Sequence, residues 1–203
     1  TSVISCLTVQ NSFGVTSIEQ VSDRVFTQQI KSILVDFQPH YVKLGLVASL
    51  EQLQIIQELL SSYKIVFDPV LFPSLGNFSK PLFEQTDFHR VIKEFLQSCF
   101  LITPNETEFR YLFDVPEREI LTELFILQKL KETKIKNILV KSVSTPKKER
   151  KKHQFFQLQN NNHKKTLEIY YHQQKKEFHG TGCRFTSHII RFLCEGESLS
   201  NSI

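Results

Sequence analysis

With 203 residues, 40% of them hydrophobic and 23% charged, the chain is long enough to bury a sizeable core and short enough to favour a single domain spanning residues 1–203. Its net charge of +4 is concentrated between Lys147 and Lys176, so the basic balance describes one stretch and does not point to nucleic acid as a partner. No apolar run reaches transmembrane length, no secretory leader pattern opens the chain, and Cys6, Cys99, Cys183 and Cys194 form no Cys-x-x-Cys pair, which argues against a membrane span, a disulfide framework and a zinc site and makes a cytoplasmic setting the expectation.

Val3 to Val9 is a short apolar run with β-branched residues before the turn signal Asn11-Ser12-Phe13-Gly14, and it reads as a buried strand and loop. From Arg24 to Phe37 the apolar positions Phe26, Ile30, Ile33, Leu34 and Phe37 share one helical face, with Ser22 or Asp23 as N-cap. Tyr41 to Leu46 reads as a strand. Ser49 caps a helix whose Leu53, Ile56 and Leu60 align, and Lys64 to Phe67 is a strand ending at Asp68-Pro69. The alternation continues with a helix over Phe88 to Leu96, a strand at Phe100 to Ile102, helices over Asn105 to Phe113 and Ile120 to Lys131, and a strand at Asn137 to Lys141. Strand and helix in turn predict an α/β fold with a mainly parallel sheet and helices on both faces.

The pattern changes between Ser142 and Lys176. Gln154 to Leu158 and Leu167 to Tyr171 are strand-like and are joined by Gln159-Asn160-Asn161-Asn162-His163, a polar connector suited to a hairpin. This region is expected to form an exposed antiparallel extension at the sheet edge without a core of its own, its lysines solvated and keeping the edge unpaired. Beyond it, His179-Gly180-Thr181-Gly182-Cys183 precedes Ile189, Ile190 and Leu193 at helical spacing, so a glycine-rich turn opens a late helix.

Glycine is scarce. Gly14, Gly45, Gly76, Gly180, Gly182 and Gly196 all fall at predicted element ends, five of them on the side where strands end and where open α/β sheets bind ligands. Gly180-Thr181-Gly182-Cys183 has the parts of an anion hole at a helix N-terminus, which would also lower the pKa of Cys183; its plain alternative is a tight turn. Asp68 directly after a strand and Glu108 in a first helical turn suit a magnesium ion held partly through water, or else a turn-former and a favourable helix-start charge. Lys141 at a strand end could meet a transferring phosphoryl group or simply be solvated. Walker-type and protein-kinase glycine loops are absent.

Six blocks in order, Leu7 to Val15, Val42 to Leu46, Asp68 to Leu71, Ile102 to Glu108, Leu139 to Lys141 and His179 to Cys183, resemble the phosphomethylpyrimidine (hydroxymethylpyrimidine) kinase family. The resemblance implies a three-layer ribokinase-like fold with an antiparallel edge hairpin, and ATP- and Mg2+-dependent phosphorylation of hydroxymethylpyrimidine or its monophosphate in thiamine biosynthesis. It implies Gln10, Leu46 and Val70 for the pyrimidine, Lys141 and Asn105 for ATP phosphates, Asp68 and Glu108 for the metal, and Cys183 with Gly180, Thr181 and Gly182 for catalysis. Aligned on these blocks, the chain would lack the family's first strand and last helix, the family's Gly-Gly-His after the lysine becomes Ser142-Val143-Ser144, and Arg184 replaces a small hydroxyl residue. The alternatives are a pyridoxal-type vitamin kinase and a ligand-binding relative without turnover. The expected partners are the pyrimidine and ATP, without membrane or nucleic acid, and a homodimer is left open. Gln10, Leu46, Asp68, Glu108, Lys141 and Gly182 should gather along one sheet edge, and Cys183 should be the most reactive thiol, with Cys6, Cys99 and Cys194 shielded by burial.

Overall fold

A computed structural model describes residues 1–11, 14–71, 88–131, 133–145, 150–172 and 180–203. Two strands come first, β1 (Cys6–Asn11) and β2 (Gly14–Gln20), followed by α1 (Asp23–Asp36). Then β3 (Tyr41–Leu44), α2 (Leu50–Leu60), β4 (Lys64–Phe67), α3 (Phe88–Ser98), β5 (Leu101–Ile102), α4 (Glu106–Leu112), α5 (Glu123–Leu130) and β6 (Asn137–Ser144) alternate as the periodicity predicts. The chain continues through β7 (Arg150–Gln159) and β8 (Asn162–His172) to α6 (Thr181–Cys194) and α7 (Leu199–Ser202).

Strands β3 to β8 form one sheet in sequential order, parallel from β3 to β6 and antiparallel from β6 to β8. Right-handed crossovers between sequential parallel neighbours put their helices on one face. There Leu53 and Ile56 of α2, Ile92 and Phe95 of α3, Phe109 of α4 and Ile126 of α5 bury Phe67, Ile102 and Ile138. The other face carries Val66, Leu101, Leu139 and Phe155 and is covered by Ile189 and Leu193 of α6. The result is three layers. Helix starts follow the expected chemistry: Ser22, Ser49 and Thr122 accept hydrogen bonds from the amides of Val25, Gln52 and Phe125. Among the described residues no helix is long and apolar enough to cross a membrane.

Four expectations need correction. The first strand is real but not buried: among the described residues β1 pairs only with β2, in a ribbon outside the main sheet, and Leu7 and Val9 are 60% and 57% exposed. Its root is tied to the main body, with the Ser5 hydroxyl donating to the Leu46 carbonyl at 2.7 Å and Gln52 Nε2 to the Ser5 carbonyl at 2.9 Å. The antiparallel region, second, is not a coreless extension. Strand β7 lies between β6 and β8, so its Phe155 and Phe156 point to opposite faces and are both fully buried, one in each core. Its lysines are not simply solvated either, since Lys152 and Lys165 both reach Glu168 and Lys165 also reaches Glu123. The hairpin is present, but its connector is shorter than the Gln159 to His163 stretch expected: a two-residue turn with Asn160 and Asn161 at φ 49° and 62°, the left-handed geometry such turns need. Third, Phe37 and Ile120 fall outside their helices and are exposed. Fourth, Cys194 is exposed, one residue out of phase with buried Leu193.

Candidate functional site at the carboxyl ends of the parallel strands

Just past the strand ends the backbones of the parallel strands are still laced together. The amide of Asp68 donates to the Leu44 carbonyl at 2.8 Å, that of Thr103 to Phe67 at 2.9 Å, and that of Lys141 to Pro104 at 2.8 Å. Asp68 and Thr103 therefore stand side by side, Lys141 stands opposite Asn105 two residues further along, and Asp68, Thr103 and Lys141 are all buried. Lys141 Nζ donates to Asp68 Oδ1 at 2.5 Å, and the Thr103 hydroxyl donates to the same oxygen at 2.9 Å. Thr103 and Thr186 hydroxyls lie 3.1 Å apart, and Thr186 Oγ1 is 3.2 Å from the Gly182 carbonyl. Two hydroxyl protons thus serve three oxygen–oxygen links. The carboxylate, the strongest acceptor, takes that of Thr103, and Thr186 divides its proton between Thr103 and the helix carbonyl.

Glu108 occupies the third position of α4 in a reciprocal cap: its carboxylate accepts from the Asn105 amide at 2.7 Å, while Asn105 Oδ1 accepts from the Glu108 amide at 2.9 Å. Burial pushes the Glu108 carboxyl up to about 7, and the nearby Asp68 charge adds to that, against the opposing pull of the Asn105 amide and the Lys141 ammonium. Two neighbouring buried carboxylates, one held near neutrality by the other and by the lack of water, are a donor set a divalent cation would satisfy.

Helix α6 brings its first turn to the same edge. A Cβ placed on Gly182 would lie 3.3 Å from Lys141 Nζ, so the ammonium rests against the backbone of that turn and would have to give by a few tenths of an ångström for any larger residue. Gly180 is the N-cap at φ 76°, in the left-handed region, and supplies no side-chain cap. The other described N-caps, Ser22, Ser49, Asn105, Thr122 and Ser198, all use their side chains. Cys183 is exposed in this first turn, as is Arg184, and Lys43 Nζ of β3 donates to the Cys183 carbonyl at 2.9 Å. A helix start without a side-chain cap, facing a lysine, is suited to an anion.

The edge therefore gathers Asp68, Asn105, Glu108, Lys141 and the turn from Gly180 to Cys183. Leu46 and Val70, half-buried, each lie two residues beyond Leu44 and Asp68. Gln10 departs from the expectation: it is exposed in the β1–β2 ribbon, outside the sheet whose edge carries the others. Gly76 and His179 lie outside the described residues. Sequence reasoning missed Thr103, Thr186 and Lys43, whose signal is weak, because a threonine after a strand or on a helix reads as ordinary. It also missed the contacts of His153, which depend on strand register.

A sequence profile of the phosphomethylpyrimidine kinase family matches residues 1–203. The chain is 28% identical to the thiamine biosynthetic bifunctional enzyme of Arabidopsis thaliana, covering all of this chain and 38% of that protein. It is 25% identical to the hydroxymethylpyrimidine/phosphomethylpyrimidine kinase of Haemophilus influenzae, covering all of this chain and 75% of that one. Among solved structures it superposes on a phosphomethylpyrimidine kinase of Clostridium difficile with TM-score 0.74 and 22% identity, over 100% of this chain and 80% of that one. It superposes on the Staphylococcus aureus pyridoxal kinase in complex with AMP-PCP with TM-score 0.78 and 14% identity, over 98% and 71%. The fold is the ribokinase-like one these kinases share, and a match running from the first residue to the last makes this chain a member of the phosphomethylpyrimidine kinase family.

Proposed function

We propose that this chain carries the site for transferring the γ-phosphoryl group of ATP to the hydroxymethyl group of hydroxymethylpyrimidine, or to its monophosphate, in thiamine biosynthesis. The observation that carries the reading is the Lys141 ammonium set against a helix start whose N-cap residue, Gly180, supplies no side-chain cap. In this reading the amides of the Gly180 to Cys183 turn and Lys141 hold the transferred phosphoryl group as its charge develops. Asp68 and Glu108 would hold Mg2+, which supplies charge neutralisation of the nucleotide phosphates when bound. Lys141, held at this edge by its ion pair with Asp68, would offer its ammonium to phosphate. Asn105, whose backbone N–H and Oδ1 are both engaged by the cap, would offer its side-chain Nδ2–H to phosphate. The substrate oxygen forms the new P–O bond, ADP leaves with the electrons of the broken one, and the hydroxyl proton passes to the sulfur of Cys183, the proposed base. Gln10, Leu46 and Val70 would face the pyrimidine. Four thiols not joined in disulfides suit a cytoplasmic setting.

The test is direct. Calorimetric titration with AMP-PCP and Mg2+, followed by turnover assays with hydroxymethylpyrimidine, its monophosphate and pyridoxal, should show nucleotide binding and preference for the pyrimidines. Cys183→Ala should lower kcat by about 10²-fold or more with the pyrimidine KM nearly unchanged. Pyridoxal as the preferred substrate would move the protein to the vitamin-kinase alternative, and failure to bind nucleotide at millimolar concentration would remove the kinase reading.

A further inference from the structure

We propose that His153 and Tyr171, from the antiparallel strands, are positioning residues for Lys141, clamping a left-handed bulge at Ser142 and so fixing the backbone from which the lysine side chain leaves. Strand β6 pairs Val140 with Gln154 and Val143 with Lys152, three steps on one strand against two on the other. Lys141 and Ser142 thus stand together opposite His153, as in a β-bulge, which commonly re-aims a side chain. The extra residue also keeps both faces of β6 correct. Leu139 packs on the α6 side while Ile138 and Val140 pack on the α4–α5 side, and without the bulge Val143 would turn away from the core in which it is fully buried.

The bulge has a conformational cost. Ser142 sits at φ 57°, a left-handed conformation that costs a non-glycine residue about 1–2 kcal/mol. Two side chains hold it there. The Ser142 amide donates to His153 Nδ1 at 3.1 Å, and the Tyr171 hydroxyl donates to Ser142 Oγ at 2.8 Å. The imidazole is itself gripped, stacked 4.7 Å from Tyr171 on one side and 5.2 Å from Phe185 of α6 on the other. Because Nδ1 accepts a backbone hydrogen, the ring must be neutral with its proton on Nε2. Burial, helped by the Lys141 charge, holds its pKa down to about 4, so the clamp persists at neutral pH. On the other side of the bulge, the Lys141 amide is bonded to Pro104 and its ammonium to Asp68, so the lysine is fixed from both directions.

This inference rests on the reading of Lys141 as the phosphate-binding lysine, and the experiment separates the two. The first readout is independent of nucleotide: the rate at which acetic anhydride modifies Lys141, mapped by mass spectrometry. His153→Phe keeps the stack but removes the acceptor, and it should speed modification about tenfold, the equivalent of one lost buried hydrogen bond. Adding Ser142→Gly, which makes the left-handed conformation easy, should return the rate in the double variant to within about twofold of wild type. AMP-PCP affinity should fall and recover in parallel. Tyr171→Phe, which deletes one hydroxyl, gives the same test with less disturbance should His153→Phe fold poorly. Unchanged Lys141 modification in both variants, or a defect that Ser142→Gly does not repair, overturns the clamp. Failure of the wild type to bind AMP-PCP, with the modification pattern as expected, leaves the clamp standing and removes only the kinase reading.

Discussion

The parallel half of the main sheet presents Asp68, Asn105 and Glu108 just beyond strand ends, whereas the antiparallel half contributes His153 and Tyr171 from strand interiors. The difference follows from direction. A parallel strand stops at the ligand edge and hands over to a helix, so capping groups and strand-end side chains collect there without further design. An antiparallel strand runs past that edge, and it can influence the site only through a neighbour, here the bulge on β6. One half supplies groups that would touch a ligand, and the other supplies their backing.

If the antiparallel half is integral to the body, Phe155→Ala and Phe156→Ala should each cost about 3–5 kcal/mol in chemical denaturation, since each ring is fully buried. Losses below about 1 kcal/mol would restore the picture of a dispensable flap. The parallel half should be as sensitive at one polar point. Asp68→Ala strands a buried ammonium and should cost about 3–5 kcal/mol, and Asp68→Ala combined with Lys141→Met should recover much of it. A double variant no better than the single would mean that Thr103, not Lys141, is the partner that matters.

Titration sharpens the comparison, because each half carries one buried group displaced in the opposite sense. In the metal-free protein Glu108 is held up at about 7 from 4.5 and His153 down at about 4 from 6.5. Between about pH 4.5 and 6.5 the folded state keeps a proton on Glu108 that the unfolded chain releases, so this group makes stability fall as pH rises. Over the same window the unfolded chain protonates the histidine and the folded state does not, so His153 makes stability rise with pH. The wild type should be nearly flat there. Glu108→Gln should unmask a rise of up to about 1.4 kcal/mol per pH unit and His153→Phe a comparable fall, measured by urea melts across the window. Two variants with slopes of the same sign would contradict the assignment. The smallest effect concerns thiols, none of it in stability. Exposed Cys183 and Cys194 should alkylate before Cys6 and Cys99, whose thiols burial pushes up, and AMP-PCP should slow Cys183 while Cys194 serves as the control.

Much of the parallel half was legible in sequence because β3, β4 and β5 each hand over to a helix, as with Ser49 capping the helix that carries Leu53, Ile56 and Leu60. Strand-end chemistry then pointed to Asp68 and Glu108 and the glycine-rich turn to Gly182, whereas Lys141, expected at a strand end, lies inside β6, which runs on to Ser144. What escaped was whatever depends on neighbours rather than period. Val3 to Val9 has the same pattern whether it joins the main sheet or forms a ribbon, so its exposure, and with it the outlying place of Gln10, could not be read. The basic residues from Arg150 to Lys152 hide a strand that becomes fully buried three residues later. A bulge has no period at all, and the strand expected over Asn137 to Lys141 stops one residue short of Ser142.

The hydroxyl pair behind Asp68 has one further consequence. With two protons for three links, Thr186 can turn its O–H toward Thr103 or toward the Gly182 carbonyl without any heavy atom moving. Reorienting a bound dipole in place is how a medium solvates a change of charge, and here the medium is two side chains buried between a carboxylate and the start of α6. The strand edge thus contains its own small polarisable solvent at the point where charge is expected to move.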